Sequence, residues 1–166
     1  MRLIITLQDH TKMEQIRKLP IGIQTFEDIR KDGYLYVDKT AFVYQMVHTG
    51  KPYFLSRPRR FGKSLLISTF EAYFQGRKDL FTGLAIEQLE KEWIEYPVLN
   101  LDLNAEKYDS ISRLDSMLAR YLSLWEDVWG QEEREVTLSD RFSGIIRRAY
   151  EQTGRQVVVL IDEYDK

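Results

Sequence analysis

A chain of 166 residues, 43% of them hydrophobic, is long enough to bury one core and fits a single domain. Its 24 Lys and Arg against 26 Asp and Glu give a net charge of −2, without the basic field that marks a bulk nucleic-acid binder. The absence of cysteine excludes disulfides and thiolate metal sites, two histidines do not furnish a histidine zinc site, and no apolar run approaches the ~18 residues of a membrane span.

The run Leu3-Ile4-Ile5-Thr6-Leu7 is too short for a signal-peptide core and has no small-residue cleavage site after it. Residues 1–12 read as an N-terminal extension, either disordered or paired as an edge strand, and residues 13–166 as one α/β unit. Thr25 is placed to cap a short helix through Lys31, with Asp28 completing a weak capping box and Gly33 beyond its end. Gly33 to Val37 is expected to be extended. Asp38 or Thr40 opens a helix to His48, closed by Gly50; both are helix-capping types, and that role is favoured over one beside an adenine ring.

Tyr53-Phe54-Leu55 reads as a short buried strand, and Ser56-Arg57-Pro58-Arg59-Arg60-Phe61-Gly62-Lys63-Ser64 follows it. Leu65, Leu66, Thr69, Phe70, Tyr73 and Phe74 then recur at helical spacing, with Gly76 as a stop. Strand, tight turn and helix is the layout of a phosphate-binding loop, in which the first helical amides point at an anion. In that reading Gly62 lets the backbone approach a phosphate. Lys63 places an ammonium on the β- and γ-phosphates, and the Ser64 hydroxyl ligates magnesium. The pattern G-x-x-x-x-G-K-[ST] asks for a glycine where this chain has Arg57, so the loop must bend differently. Pro58 has no amide to offer an anion. Arg57, Arg59 and Arg60 can clamp phosphate, pair with acids or touch a partner; one of Arg59 and Arg60 is expected beside the nucleotide.

Pro97 to Leu103 reads as a parallel strand with Asp102 near its end, a position more often solvated than bound to metal. Ile111, Leu114, Leu118, Tyr121, Leu122, Trp125 and Val128 stripe one long helix, a face for core or interdomain packing together with Trp129. Ser139 is expected to cap a further helix with Phe142, Ile145, Ile146, Ala149 and Tyr150 inward, ended by Gly154. Val157 to Ile161 is a continuous apolar run, as in a strand covered on both faces of a parallel sheet. Asp162 then stands at the strand's carboxyl end, where open α/β sheets bind ligands. Its expected role is to hold magnesium, and that of Glu163 is to orient or deprotonate an attacking water.

The stretches Leu19 to Gln24, Tyr36-Val37-Asp38-Lys39-Thr40, Ser56 to Ser64, Tyr96-Pro97-Val98 and Asp162-Glu163-Tyr164-Asp165 stand in an order that resembles the bacterial AAA-ATPase-like family. The resemblance covers about residues 13 to 166. It implies a P-loop ATPase module, often followed in the family by a restriction-endonuclease-like domain. It also implies that Arg57 in place of glycine is the family's own form of the loop. The expected fold is a P-loop NTPase-type parallel sheet flanked by helices, and an incomplete one, because family members continue well past the position of Lys166.

The expected function is ATP binding, with hydrolysis in the complete protein. Arg59, Arg60, Phe61, Gly62, Lys63, Ser64 and Leu65 would surround the nucleotide, Ser64 and Asp162 the magnesium ion, and Lys63 and Glu163 would be catalytic. Two other readings remain open at this point: a non-catalytic nucleotide-dependent switch or scaffold that recruits a partner or nuclease, and a small-molecule kinase. Self-association through an incomplete sheet, nucleic-acid contact only through a further domain, no membrane contact and a cytoplasmic location complete the expectations.

Overall fold

The computed structural model describes residues 17–50, 52–56, 58, 61–103 and 111–162. The predicted extension at residues 1–12, Arg57, Arg59, Arg60 and Glu163 lie outside the described residues. The elements run α1 (Phe26–Lys31), α2 (Thr40–His48), α3 (Lys63–Phe74), a 3₁₀ turn (Lys78–Phe81), α4 (Ala85–Leu89), β1 (Val98–Asp102), α5 (Ile111–Trp129), α6 (Leu138–Thr153) and β2 (Val158–Asp162). The chain is a helix-rich α/β structure in which β1 and β2 pair in parallel, Val98 beside Val158 through Asp102 beside Asp162.

The N-terminal elements close on an aromatic core. Phe26 and Ile29, three residues apart on α1, are both buried, as helical spacing requires. The Phe26 ring lies 4.8 Å from that of Phe81, and Trp93 lies 5.1 Å from Phe81 on another side. Tyr73 and Val43 complete the cluster, with Leu65, Leu66, Phe70 and Phe74 of α3 against it. Short helices of this kind do not hold themselves together, so polar side chains brace them. Arg30 donates to the carbonyls of Leu80 at 2.7 Å and Thr82 at 2.6 Å. Asp38 accepts from the amide and hydroxyl of Thr40 through one oxygen and from the Ala85 amide through the other. The Thr40 hydroxyl in turn accepts from the Ile86 amide at 3.1 Å. One aspartate and one buried threonine thus satisfy the starts of both α2 and α4, which settles Asp38 and Thr40 as capping residues.

The C-terminal elements form a second layer. The long helices α5 and α6 pack together over one face of the sheet, with Leu99, Leu122 and Ile145 at the centre and Trp125, Trp129 and Phe142 around them. Met117 is buried as well, while Ile111 and Val128, expected in the stripe, are exposed at its two ends. The α6 cap is Thr137 and not Ser139: its hydroxyl accepts from the Asp140 amide, and Asp140 reaches back to the Thr137 amide. Tyr150, expected inward, is 55% exposed, because the turn that follows Ala149 has already left the core. Gly154 ends the helix in the left-handed conformation as expected.

Ion pairs tie α6 to α5 through Glu126, and to the connection between the helices through Glu132 and Glu135. Glu126 takes a two-pronged bond from Arg141, both prongs 2.7 Å. Glu135 pairs with Arg148 and lies over Gly144, where a Cβ would fall 1.7 Å from its carboxylate, so only glycine leaves room for that pair. Hydrogen bonds from Arg147 and Arg148 hold Glu132 and Glu135, respectively, below the usual carboxylate range.

Two strand expectations change. Residues 52–56 form no strand, and Tyr53 and Phe54 are 52% and 67% exposed. A three-residue apolar run is short for a strand, and the sheet among the described residues is made of β1 and β2. β2 is likewise covered on one face and half open on the other: Leu160 and Asp162 are buried, whereas Val159 and Ile161 are 39% and 45% exposed. The α5–α6 layer reaches Leu99 on β1 but does not fully cover the outer strand.

Candidate functional site

The site is built where α3 begins and β2 ends. Gly62 precedes α3 with φ 74° and ψ 27°, a left-handed conformation costly for any residue with a Cβ. Among the described residues nothing lies within 4 Å of where that Cβ would be. The Gly62 carbonyl accepts from the Leu66 amide at 3.0 Å and opens the helical ladder. Gly62 has no side chain to cap this end, and the first turn carries no acid, unlike those of α1, α4 and α6. The amides of Lys63, Ser64 and Leu65 have no acceptor within their own helix, so the positive end of the helix dipole is not neutralised from within α3. Lys63, Ser64 and Leu65 are half-buried and Phe61 is exposed.

Three contacts fix how α3 lies against the sheet. Gly76 sits against the Trp93 carbonyl, the Tyr96 amide donates to the Phe74 carbonyl at 2.7 Å, and the Asn100 side-chain amide donates to Glu71 at 2.8 Å. As the chain number rises from 93 to 100, its partner on α3 falls from 76 to 71, so helix and strand run antiparallel. From Asn100 the strand climbs roughly 7 Å to Asp102. From Glu71 the helix climbs about 10 Å to Ser64, which is seven residues away and therefore on nearly the same helical face.

Asp162 pairs with Asp102, so it stands at the height of the first turns of α3. Strand alternation puts Asp162 on the same sheet face as Leu160 and Asn100, the face on which Glu71 is met. Helix and strand rise therefore put the first turn of α3 and Asp162 towards the same end of the sheet. Asp102 is exposed beside the buried Asp162.

The donor set suits a magnesium–phosphate group. An uncapped helix start offers amides to an anion, and a hydroxyl and a carboxylate offer hard oxygen ligands. Among the described residues no group of three or more His, Asp or Glu could hold a metal alone. A cation here would need oxygens from a bound phosphate, as magnesium commonly does. No helix among the described residues is long and apolar enough to cross a membrane.

The Asn100–Glu71 pair was not among the sequence-predicted site residues. Its signal was a polar residue interrupting the apolar run Val98-Leu99-Asn100-Leu101.

The arrangement is that of an α/β module whose parallel strands end beside a glycine-started, uncapped helix, a layout compatible with part of a P-loop-like domain. Residues 20–166 match the family described as Predicted AAA-ATPase, and the chain belongs to that family. It is also 42% identical over 151 residues to a protein of Azotobacter chroococcum mcd 1, described as an uncharacterized protein in the vnfD 5' region. That match takes in 90% of this chain but 29% of the relative's length. No solved structure gives a significant match.

Proposed function

We propose that this chain is the ATP-binding module of a P-loop ATPase that hydrolyses ATP in the complete protein. The observation that carries the reading is the alignment of an uncapped, glycine-started helix with a buried aspartate at the end of the neighbouring parallel strand. Family membership supports the ATPase class independently.

In this mechanism the first amides of α3 and the Lys63 ammonium bind the β- and γ-phosphates. Ser64 and Asp162 would hold magnesium, which when bound supplies positive charge against the phosphate oxygens. Glu163 orients a water in line with the γ-phosphate. The water oxygen forms the new P–O bond and gives a proton to the Glu163 carboxylate, the bond to the bridging β–γ oxygen breaks, and ADP leaves with that electron pair. Lys63 offsets the charge that builds on the oxygens, and one of Arg59 and Arg60 adds a second cation.

Calorimetry with ATP and magnesium on this chain, beside Lys63→Ala, tests the binding step. The variant is expected to lose affinity about tenfold or more, roughly 1.4 kcal/mol. Equal affinity in the variant removes Lys63 from the site. In the full-length protein Glu163→Gln should abolish turnover while binding survives; unchanged turnover would remove Glu163 from its role. A full-length protein that binds no ATP would sink the ATPase reading.

A further inference from the structure

We propose that Asn100 and Glu71 are positioning residues, whose hydrogen bond sets the height of α3 against the sheet and so the distance from Ser64 to Asp162. The inference rests on the nucleotide-site reading above for its functional consequence, but not for its structural claim.

Asn100 lies mid-strand, between Leu99 and Leu101 and beside Leu160. A branched apolar side chain is the ordinary occupant of such a position. Its amide nitrogen donates to Glu71 at 2.8 Å, but its Oδ1 is buried without a hydrogen-bond partner. A buried carbonyl left unpaired is destabilising, so this residue is a poor choice for stability alone.

Core packing holds α3 against α1, and the Phe26 amide donates to Ser68 at 2.9 Å, but neither contact reaches the sheet. On its α1 side α3 borders an open cleft of about 200 Å³, lined by Thr25, Glu27, Ser68, Glu71, Gln75 and Arg77. A helix with free space beside it can slide along its axis unless a directional contact holds it. The tie at Tyr96 and Phe74 holds the far end of α3. The Asn100–Glu71 bond is the tie two turns from Ser64, on the same helical face. An α-helix is stiff over seven residues, so a shift at Glu71 is transmitted to Ser64 and to the amides around it.

The test uses two variants of this chain and three measurements. Asn100→Leu with Glu71→Leu removes both polar partners together, which need not cost stability. The melting temperature is expected to stay at or above that of the unaltered chain. Hydrogen exchange of the amides at 63–66 should speed up relative to the rest of α3. The magnesium concentration for half-maximal ATP binding should rise about tenfold, the size of one lost charge-assisted contact.

Glu71→Gln keeps an acceptor for the Asn100 amide and adds a donor for its orphan Oδ1. That variant should bind ATP at the ordinary magnesium concentration and melt higher. A double variant that melts far below the unaltered chain would overturn the proposal, because the pair would then be structural. Unchanged exchange and unchanged magnesium requirement would overturn it as well. If the unaltered chain binds no ATP, the magnesium requirement is read on the full-length protein, where failure to bind sinks the function proposed above, and exchange and melting still decide the positioning claim.

Discussion

The cluster around Phe26, Tyr73 and Phe81 is aromatic, and its buried acid, Glu90, accepts from neutral donors. The cluster around Leu99, Leu122 and Ile145 is small and aliphatic, and its buried acids face guanidinium groups. Burial alone would raise Glu90 in the first cluster, but the Tyr73 hydroxyl and the Glu92 amide outweigh it and hold the carboxyl below its usual range. Burial, with Glu90 beside it, pushes Tyr73 up, so the pair shares its proton on the tyrosine side. In the second cluster the Glu126 bond raises Arg141 above its ordinary value. The contrast follows from element length. Five- to twelve-residue helices leave many ends to satisfy, and local neutral donors do so. Two helices of 19 and 16 residues and the connection between them set acids against the arginines of α6, Glu126 from α5 and Glu132 and Glu135 from the connection.

If the first cluster depends on aromatic volume, its centre is the most costly place to cut. Phe81 is fully buried and has ring contacts with Phe26, Tyr73 and Trp93. Phe81→Ala is expected to cost about 3–5 kcal/mol, from lost burial and the cavity left behind. Denaturant unfolding measures it, and a cost under about 1 kcal/mol would mean that the cluster is not the main core.

The second cluster should break differently. Glu126 keeps 7% of its side chain exposed and Arg141 19%, so removing one partner strands a largely buried charge. Arg141→Met is expected to cost about 3 kcal/mol, the low end for a buried pair because Arg141 is partly wet. Adding Glu126→Met should restore most of that loss, since no charge is then left without a partner. No double replacement of this kind would rescue Phe81→Ala, whose cost is volume. A double variant as unstable as the single would show that the pair is held for its own attraction.

The two regions also differ in how much of them could be read from sequence. The periodicity of α3, α5 and α6, the parallel strands and the start of α2 follow from local pattern, because a helix or strand with one buried face writes its period into the chain. What could not be read depends on neighbours far along the chain. Residues 52–56 have strand composition but take no strand, and Val159 and Ile161 have core composition but incomplete cover. Apolar identity says what would gain from burial, not whether another element arrives to bury it. The places of Gly62-Lys63-Ser64 at a helix start and of Asp162 at a strand end were legible because each lies at the end of an element. The height relation between them was not, because it passes through the Asn100–Glu71 bond, which joins residues 29 apart.

The smallest expected effect lies at the start of α6, where sequence pattern alone left two candidates. Ser139 is an ordinary cap residue by type, but it falls one position inside a helix that begins at Leu138. Thr137 has extended backbone, with φ −87° and ψ 159°, and bonds the amide three residues on. Asp140 returns the bond to the Thr137 amide at 3.2 Å, which is the reciprocal arrangement of a capping box. Thr137→Ala should therefore cost about 1 kcal/mol, and Ser139→Ala should change stability by less than about 0.5 kcal/mol. Thermal melts of the two variants at the same pH compare them directly. Equal losses would place the helix start within the first turn and not at Thr137. A larger loss at Ser139 would reverse the capping assignment and shift the start of α6 by two residues, towards the sequence-based expectation.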